Sequence, residues 1–296
     1  MVNFSKIKKI IAVSALSVVL IIGVTAGVFF SRPPVLIVTD FSFSALYGPE
    51  RLRQRQREIQ ISLFRRVIPV IVSEHAGPDM ISIAVAEASS APWAVLFPYR
   101  YLAGARNFRS GNPETTVMVM GGRNRMPEGL AEEGIVFVRT DTVTDIYRAG
   151  ASAAFFADEE DIIIFDDNLL PAESRESLNG LLEDRGFPGE LLFRTQHVHI
   201  PSFDGIGSII VTGPAPRALE QSLNIPKILF SWIDPAFTPR TVKLVFDDSP
   251  WALATAALRA EGEGEILIPS VPIALSDRIY ERNDFRKLED IVQEIF

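Results

Sequence analysis

Residues 207–230 read GSIIVTGPAPRALEQSLNIPKILF, a pattern typical of one architecture. The apolar run Ser208–Thr212 predicts a strand, Pro216–Leu223 predicts a helix, and Lys227–Ser231 predicts a second strand. A strand, a helix and a strand in succession form a βαβ unit, which builds a parallel sheet. The near-continuous apolar character of these runs predicts strands that are buried on both faces.

The same alternation of strands and helices extends through most of the chain. Further strands are predicted at Val35–Thr39, Pro69–Ser73, Met80–Val85 or Ala94–Phe97, Thr116–Met120, Ile135–Arg139, Ile162–Phe165, Glu190–Arg194, Thr241–Phe246 and Glu265–Val271. A capping box of Thr142 and Asp145 predicts the start of a helix over Val143–Ala157, and Ser249-Pro250 predicts the start of a helix over Trp251–Glu261. Two successive series of this kind predict an α/β protein with two doubly wound parallel-sheet lobes.

The first thirty residues predict an export signal or a membrane anchor. Lys6, Lys8 and Lys9 precede an uncharged apolar run of 21 residues, Ile10–Phe30. A helix of this length crosses a hydrocarbon core of about 30 Å. The small residues Val24-Thr25-Ala26 also resemble the site at which a secretory signal is cleaved. We expect a signal or anchor over residues 1–33, which puts the remainder in the cell envelope, either periplasmic or anchored in the inner membrane.

The charge balance argues against one class of partner. Four of the 29 Lys and Arg residues and none of the 37 Asp and Glu residues lie in residues 1–33, so the exported part carries a formal charge of −12. A nucleic-acid-binding protein would normally present a basic face, and none is expected here. The chain contains no Cys, which rules out disulfides and lipid-modified cysteines.

Several segments resemble the type I periplasmic binding proteins, the solute-binding family that also supplies the LacI-like periplasmic domain. Val138-Arg139-Thr140-Asp141-Thr142 and the following helix resemble the start of the family's second lobe. The strand, helix, Ile225-Pro226 turn and strand leading to Ile233-Asp234 resemble its closing pattern. The resemblance covers residues 34–275. It implies a first lobe of residues 34–140 with 236–262, a second of 141–235 with 263–275, and a helical extension over 276–296.

The resemblance also implies an activity. In this family two lobes close around a small solute by a hinge motion, without chemistry on the ligand and without a cofactor. The expected partners are a small polar solute, such as a sugar, nucleoside or amino acid, and an ABC-type permease or a membrane sensor. An anchored protein of the same fold that has lost solute binding and acts as a structural or regulatory module is the alternative.

Polar and aromatic residues that follow the predicted strands are the candidate ligand contacts, because open α/β sheets bind ligands at the carboxyl ends of their strands. Rings stack on the apolar face of a ligand, while charged groups make directional hydrogen bonds to its edges. The candidates are Asp40, Phe41, Ser42, Glu74, Tyr99, Arg100, Arg123, Asp141, Thr142, Asp166, Gln196, Thr212 and Asp234. The resemblance favours Asp234, since many relatives place a ligand-binding acid there.

Each candidate has a structural alternative. Asp40 and Asp166 have the position of helix caps, and Gly121-Gly122 before Arg123 has the composition of a plain turn. An exported metal-dependent hydrolase is a further hypothesis, because His197 and His199 lie two residues apart and face the same side of an extended segment. No third ligand is indicated by spacing, and no nucleophile elbow or Walker loop is present. We therefore expect no metal, no cofactor and no catalytic residue.

Overall fold

The computed structural model describes residues 27, 31–43, 59, 61, 65–166, 170, 172–195, 202–212, 224–230, 238–259, 262–275, 286, 287, 290 and 291. The expected N-terminal signal or anchor lies almost entirely outside the described residues. Within the described part of the chain, no helix is long and apolar enough to span a membrane.

Twelve strands are described, and we number them in chain order. They are β1 (Val35–Thr39), β2 (Val67–Ile71), β3 (Ala94–Pro98), β4 (Thr116–Gly122), β5 (Ile135–Thr140), β6 (Asp161–Phe165), β7 (Leu191–Arg194), β8 (Ile206–Val211), β9 (Lys227–Leu229), β10 (Val242–Asp247), β11 (Glu265–Ile268) and β12 (Val271–Ala274). The helices in the described residues are α1 (Pro78–Ala88), α2 (Leu102–Gly111), α3 (Thr142–Ala157), α4 (Ala172–Asp184) and α5 (Pro250–Ala257), and a short 3₁₀ helix spans Tyr99–Tyr101.

The strands form two six-stranded sheets. The first has the order β11-β5-β4-β3-β1-β2 and the second has the order β12-β10-β9-β8-β6-β7. β1 pairs in parallel with β2 and β3, and β6 pairs in parallel with β7 and β8. β12 is antiparallel to β10 at the edge of the second sheet. The predicted α/β class with two mainly parallel sheets is confirmed.

The packing of the second sheet explains why its strands do not alternate between apolar and polar residues. Ile162 and Ile164 of β6 pack in a buried cluster with Ala149 and Ala153 of α3. The intervening Ile163 belongs to a second buried cluster, together with strand residues of β8, β9 and β10. Both faces of the sheet are therefore covered, as the apolar runs predicted.

The described residues fall into two compact units. One comprises Met1–Val119 with Glu128–Val136, and the other comprises Met120–Pro127 with Phe137–Phe296. β10 pairs with β9 in the second sheet and β11 pairs with β5 in the first. These pairings differ from the lobe memberships expected for residues 236–262 and 263–275, because an apolar strand pattern does not specify which sheet the strand joins.

The structure decides one open alternative and corrects two local predictions. Met80–Val85 lies in helix α1, so Ala94–Phe97 was the correct strand alternative. Helix α3 is capped by Asp141 rather than by Thr142, because the Asp141 side chain accepts hydrogen bonds from the backbone nitrogen and the hydroxyl of Thr144. The stretch Glu265–Val271 is interrupted: Ser270 donates its backbone N–H to Asp145 Oδ1, and β11 and β12 join different sheets.

Candidate functional site

A buried carboxylate lies at the carboxyl end of β1. Asp40 is fully buried and its side chain accepts hydrogen bonds from the Phe43 backbone nitrogen at 2.8 Å and from the Tyr101 hydroxyl at 2.7 Å. Arg100 Nη2 is 2.8 Å from Asp40 Oδ2, and the same nitrogen donates to the Tyr101 hydroxyl. Burial and the hydrogen bond to Asp40 raise the pKa of Tyr101 to about 12. Asp40 thus accepts a hydrogen bond from the backbone that follows β1 and also holds the side chains of Arg100 and Tyr101, which follow β3.

A second polar pair lies at the same edge of the first sheet. The backbone nitrogen of Ser42 donates a 3.0 Å hydrogen bond to Glu74 Oε1, and the Ser42 hydroxyl donates to the same oxygen. These hydrogen bonds from Ser42 lower the pKa of Glu74. We name Asp40, Ser42, Glu74, Arg100 and Tyr101 the Asp40 cluster; its members follow β1, β2 and β3, three neighbouring parallel strands.

The backbone at the end of β4 directs Arg123. Gly122 has a φ of 59°, in the left-handed region that favours glycine. The Gly121 carbonyl accepts hydrogen bonds from the Asn124 backbone nitrogen at 3.0 Å and from Asn124 Nδ2 at 2.6 Å. The glycine pair therefore serves a turn, as the structural alternative predicted, and this turn holds Arg123 at the end of the strand.

The Arg123 guanidinium contacts three groups within its own compact unit. Its Nε is 3.2 Å from Asp248 Oδ2, its Nη1 donates to the Thr212 carbonyl oxygen, and its Cζ is 4.3 Å from the centroid of the Phe230 ring. Burial lowers the pKa of Arg123, and the charge of Asp248 acts in the opposite direction. Thr212, Phe230 and Asp248 follow β8, β9 and β10 at the carboxyl edge of the second sheet.

Asp166 extends this arrangement to β6. The Thr212 hydroxyl donates to the Phe165 carbonyl oxygen at 3.1 Å and lies 3.2 Å from Asp166 Oδ1. Arg175 Nη2 donates a 2.6 Å hydrogen bond to Asp166 Oδ2. We name Arg123, Asp166, Thr212, Phe230 and Asp248 the Arg123 cluster.

Another buried carboxylate lies in the first turn of α3. Asp145 is fully buried and its Oδ1 accepts a 2.8 Å hydrogen bond from the Ser270 backbone nitrogen, between β11 and β12. Among the described residues, its Oδ2 has no hydrogen-bond partner. Burial raises the pKa of Asp145 to about 7, while the hydrogen bonds from Ser270 and the charge of Arg123 act to lower it.

Solved structures share this architecture. A solute-binding protein of an ABC transporter system from Conexibacter woesei DSM 14684 superimposes with a TM-score of 0.58 at 10% identity, covering 90% of this chain and 96% of its own. A periplasmic solute-binding protein of an ABC transporter from Actinobacillus succinogenes 130z, solved with bound D-allose, has a TM-score of 0.50 at 8% identity, covering 84% of this chain and all of its own. This chain has the type I periplasmic-binding-protein fold. No protein-family model and no curated protein matches its sequence.

The type I fold gathers some of the predicted ligand contacts and separates others. Asp40, Ser42, Glu74 and Arg100 meet in the Asp40 cluster, and Arg123, Asp166 and Thr212 belong to the Arg123 cluster. Phe41 exposes 79% of its surface, and Tyr99 is half-buried at the start of the 3₁₀ helix.

The remaining candidates lie elsewhere. Asp141 caps α3, and the hydroxyl of Thr142 lies 3.5 Å from the Thr140 carbonyl oxygen. Gln196 and Asp234 lie outside the described residues. A role in ligand binding stays a prediction for all of these residues.

Three members of the two clusters were not among the predicted site residues. Asp248 and Phe230 follow β10 and β9, so the strand-end rule applied to those strands would have found them. Tyr101 lies within the Tyr99-Arg100-Tyr101 stretch, but nothing in the sequence pairs its hydroxyl with Asp40.

The hypothesis of a metal-dependent hydrolase rested on His197 and His199, which lie outside the described residues. In the part of the chain that the structure describes, no group of three His, Asp or Glu side chains is arranged to hold a metal ion.

Proposed function

We propose that this protein binds a small polar solute at the carboxyl ends of its parallel strands. The observation that carries the proposal is the Asp40 cluster, in which hydrogen bonds and an ion pair join residues that follow β1 to side chains that follow β2 and β3. Open α/β sheets bind ligands at this edge. Arg100 is 42% exposed although its guanidinium pairs with a fully buried carboxylate, so an oriented donor group faces solvent there.

The proposal extends to location and partners. The basic residues before the apolar run Ile10–Phe30 support an extracytoplasmic domain, either anchored or released. An ABC-type permease or a membrane sensor is the expected partner, as the names of the structural neighbours suggest. The D-allose bound by the neighbour from Actinobacillus succinogenes makes hexoses the first solutes to try, followed by nucleosides and amino acids.

The test is a thermal-unfolding screen of the purified full-length protein against these three classes of solute. A ligand that binds only the native state stabilises it by about 2.7 kcal/mol at a free concentration of 100 Kd. We expect one class to raise the midpoint of unfolding and the increase to be lost in Arg100→Met.

Arg106→Met is the matched control. Arg106 pairs with Glu133 at 2.9 Å and is 40% exposed, close to the 42% of Arg100, but it lies on α2 away from the strand ends. It should keep the full response to the solute. An unchanged response in Arg100→Met would contradict the assignment of the site to the Asp40 cluster.

The Arg123 cluster favours the alternative of a regulatory or structural module in one respect. Polar groups at the carboxyl edge of the second sheet already contact a guanidinium of the same chain. This alternative predicts that none of the solutes changes the unfolding midpoint, while an interaction with a membrane protein persists in Arg100→Met.

A further inference from the structure

Arg123 is less exposed than four other arginines that pair with carboxylates. Its side chain is 14% exposed and that of its partner Asp248 is 12% exposed. Arg100, Arg106, Arg139 and Arg175 expose 42%, 40%, 28% and 33% of their side chains. Arg123 therefore brings a planar cation into a largely desolvated position between an aromatic ring, a carboxylate and a carbonyl oxygen.

These three groups match the chemistry of a guanidinium. The Phe230 ring presents its face to the planar cation at 4.3 Å, an arrangement that is favourable for both stacking and charge. Asp248 supplies a carboxylate, and Thr212 supplies a carbonyl oxygen that accepts a hydrogen bond from Nη1. A ring face together with oxygen acceptors for the N–H groups is also how a protein would recognise a guanidinium that belongs to a ligand.

The contacts of Arg123 use only part of the hydrogen-bonding capacity of its guanidinium group. The Arg123 Nε atom lies 3.2 Å from Asp248 Oδ2. Among the described residues, the buried Nε and Nη2 atoms have no hydrogen-bond acceptor of good geometry. A buried donor without an acceptor destabilises the folded state. A guanidinium group on a free solute could rotate among the same three groups, so its donors would not be kept away from acceptors by the attachment to the chain.

We propose that Phe230, Asp248 and the Thr212 carbonyl form a subsite for a guanidinium group, and that Arg123 fills this subsite as a tethered occupant. The inference rests on the proposed function in one point, that a solute binds at the strand ends. It adds the chemical class: a solute that carries a guanidinium enters by displacing Arg123, which acts as an internal competitor.

The test is chemical rescue of the full-length Arg123→Ala protein. Methylguanidinium at millimolar concentrations should raise the unfolding midpoint of this variant in a saturable manner, and methylammonium should not. A tethered group competes at an effective concentration on the order of millimolar, so the Kd of methylguanidinium should be at least about tenfold lower for the variant than for the wild type. The double variant R123A/D248N should lose the response.

Arg139→Ala is the control for nonspecific effects, because Arg139 pairs with Glu265 at 2.6 Å but both side chains are about twice as exposed as those of Arg123 and Asp248. It should show no saturable response. If R123A lacks a cooperative transition, the readout is the fraction of protein that refolds from urea with and without each cation. Methylguanidinium should increase this fraction for R123A, and methylammonium should not.

An equal response to methylammonium, or no response of R123A to either cation, would overturn the inference. A solute that stabilises the wild type but not R123A would also overturn it, since Arg123 would then be a ligand contact. The proposed function fails separately: rescue of R123A without any solute response in the wild type retains the subsite and rejects solute binding.

Discussion

The hydroxyl of Tyr101 donates a 2.7 Å hydrogen bond to Oδ2 of Asp40, a fully buried carboxylate that lies 61 residues earlier in the chain. The bond joins the residues that follow β1 to the 3₁₀ helix that follows β3. Two strand ends of the first sheet are thus held together by one buried polar contact.

Tyr101→Phe should lower the free energy of unfolding by about 1–3 kcal/mol, because it leaves a buried carboxylate with one hydrogen bond fewer. Urea denaturation measures this change. Tyr147→Phe is the control, since Tyr147 is half-buried against the core and makes no hydrogen bond through its side chain with the described residues. Equal and small effects of the two substitutions would show that the Asp40 bond does not stabilise the fold.

The stability of the protein should depend on the ionisation of Asp145. Burial raises the pKa of Asp145 to about 7 from 3.8, so the folded state retains a proton that the unfolded state has released between these two values. The resulting stabilisation is fully present below pH 3.8 and is lost as the pH rises through 7.

Asp145→Asn removes this ionisation and keeps an acceptor for the Ser270 backbone nitrogen. Between about pH 4 and about pH 8 the wild type should lose on the order of 2–4 kcal/mol relative to D145N, since each pKa unit corresponds to about 1.36 kcal/mol. Urea titrations of both proteins at several pH values measure the difference. Parallel pH profiles would argue against a buried, protonated Asp145.

Two glycine-to-alanine substitutions should change the stability of the protein in opposite directions. A Cβ on Gly207 would lie 2.5 Å from the carbonyl oxygen of Ala157, a backbone atom that cannot move aside cheaply. Gly207→Ala should therefore destabilise by about 1–3 kcal/mol. Gly180 lies in α4, where an added Cβ would meet no atom within 4 Å, so Gly180→Ala should stabilise by up to about 1 kcal/mol. Thermal unfolding of both variants measures the contrast, and equal signs would contradict the packing of β8 against α3.

The Asp166–Arg175 pair should couple more strongly than an exposed pair. Asp166 is almost fully buried, whereas Arg175 is 33% exposed, and the two side chains meet at 2.6 Å. A double-mutant cycle of Asp166→Asn and Arg175→Met should give a coupling free energy of about 1–2 kcal/mol. The same cycle on Arg106 and Glu133, whose two side chains are both exposed, should give a coupling free energy of less than about 1 kcal/mol. Urea denaturation provides both values, and comparable couplings would show that burial of Asp166 adds nothing.

Most of the strands could be predicted from the chain, because strands buried on both faces have continuous β-branched and apolar runs that are visible locally. Ser249 was similarly predictable as a helix cap, and its side chain accepts a hydrogen bond from the Ala252 backbone nitrogen. A capping signal is local, since both partners lie within one turn.

Contacts between distant segments could not be read in this way. The interruption at Ser270 depends on Asp145, which lies 125 residues away. The burial of Arg123 depends on Asp248, Phe230 and Thr212, which follow three different strands of the second sheet. Strand patterns indicate that residues lie at the end of a strand, but not which side chains meet there. Local residue preferences thus account for the α/β class and its candidate strand ends. The pairing of strands into two sheets and the burial of Arg123 arise instead from long-range packing, because residues far apart in the chain must meet and no short stretch of sequence specifies which ones do.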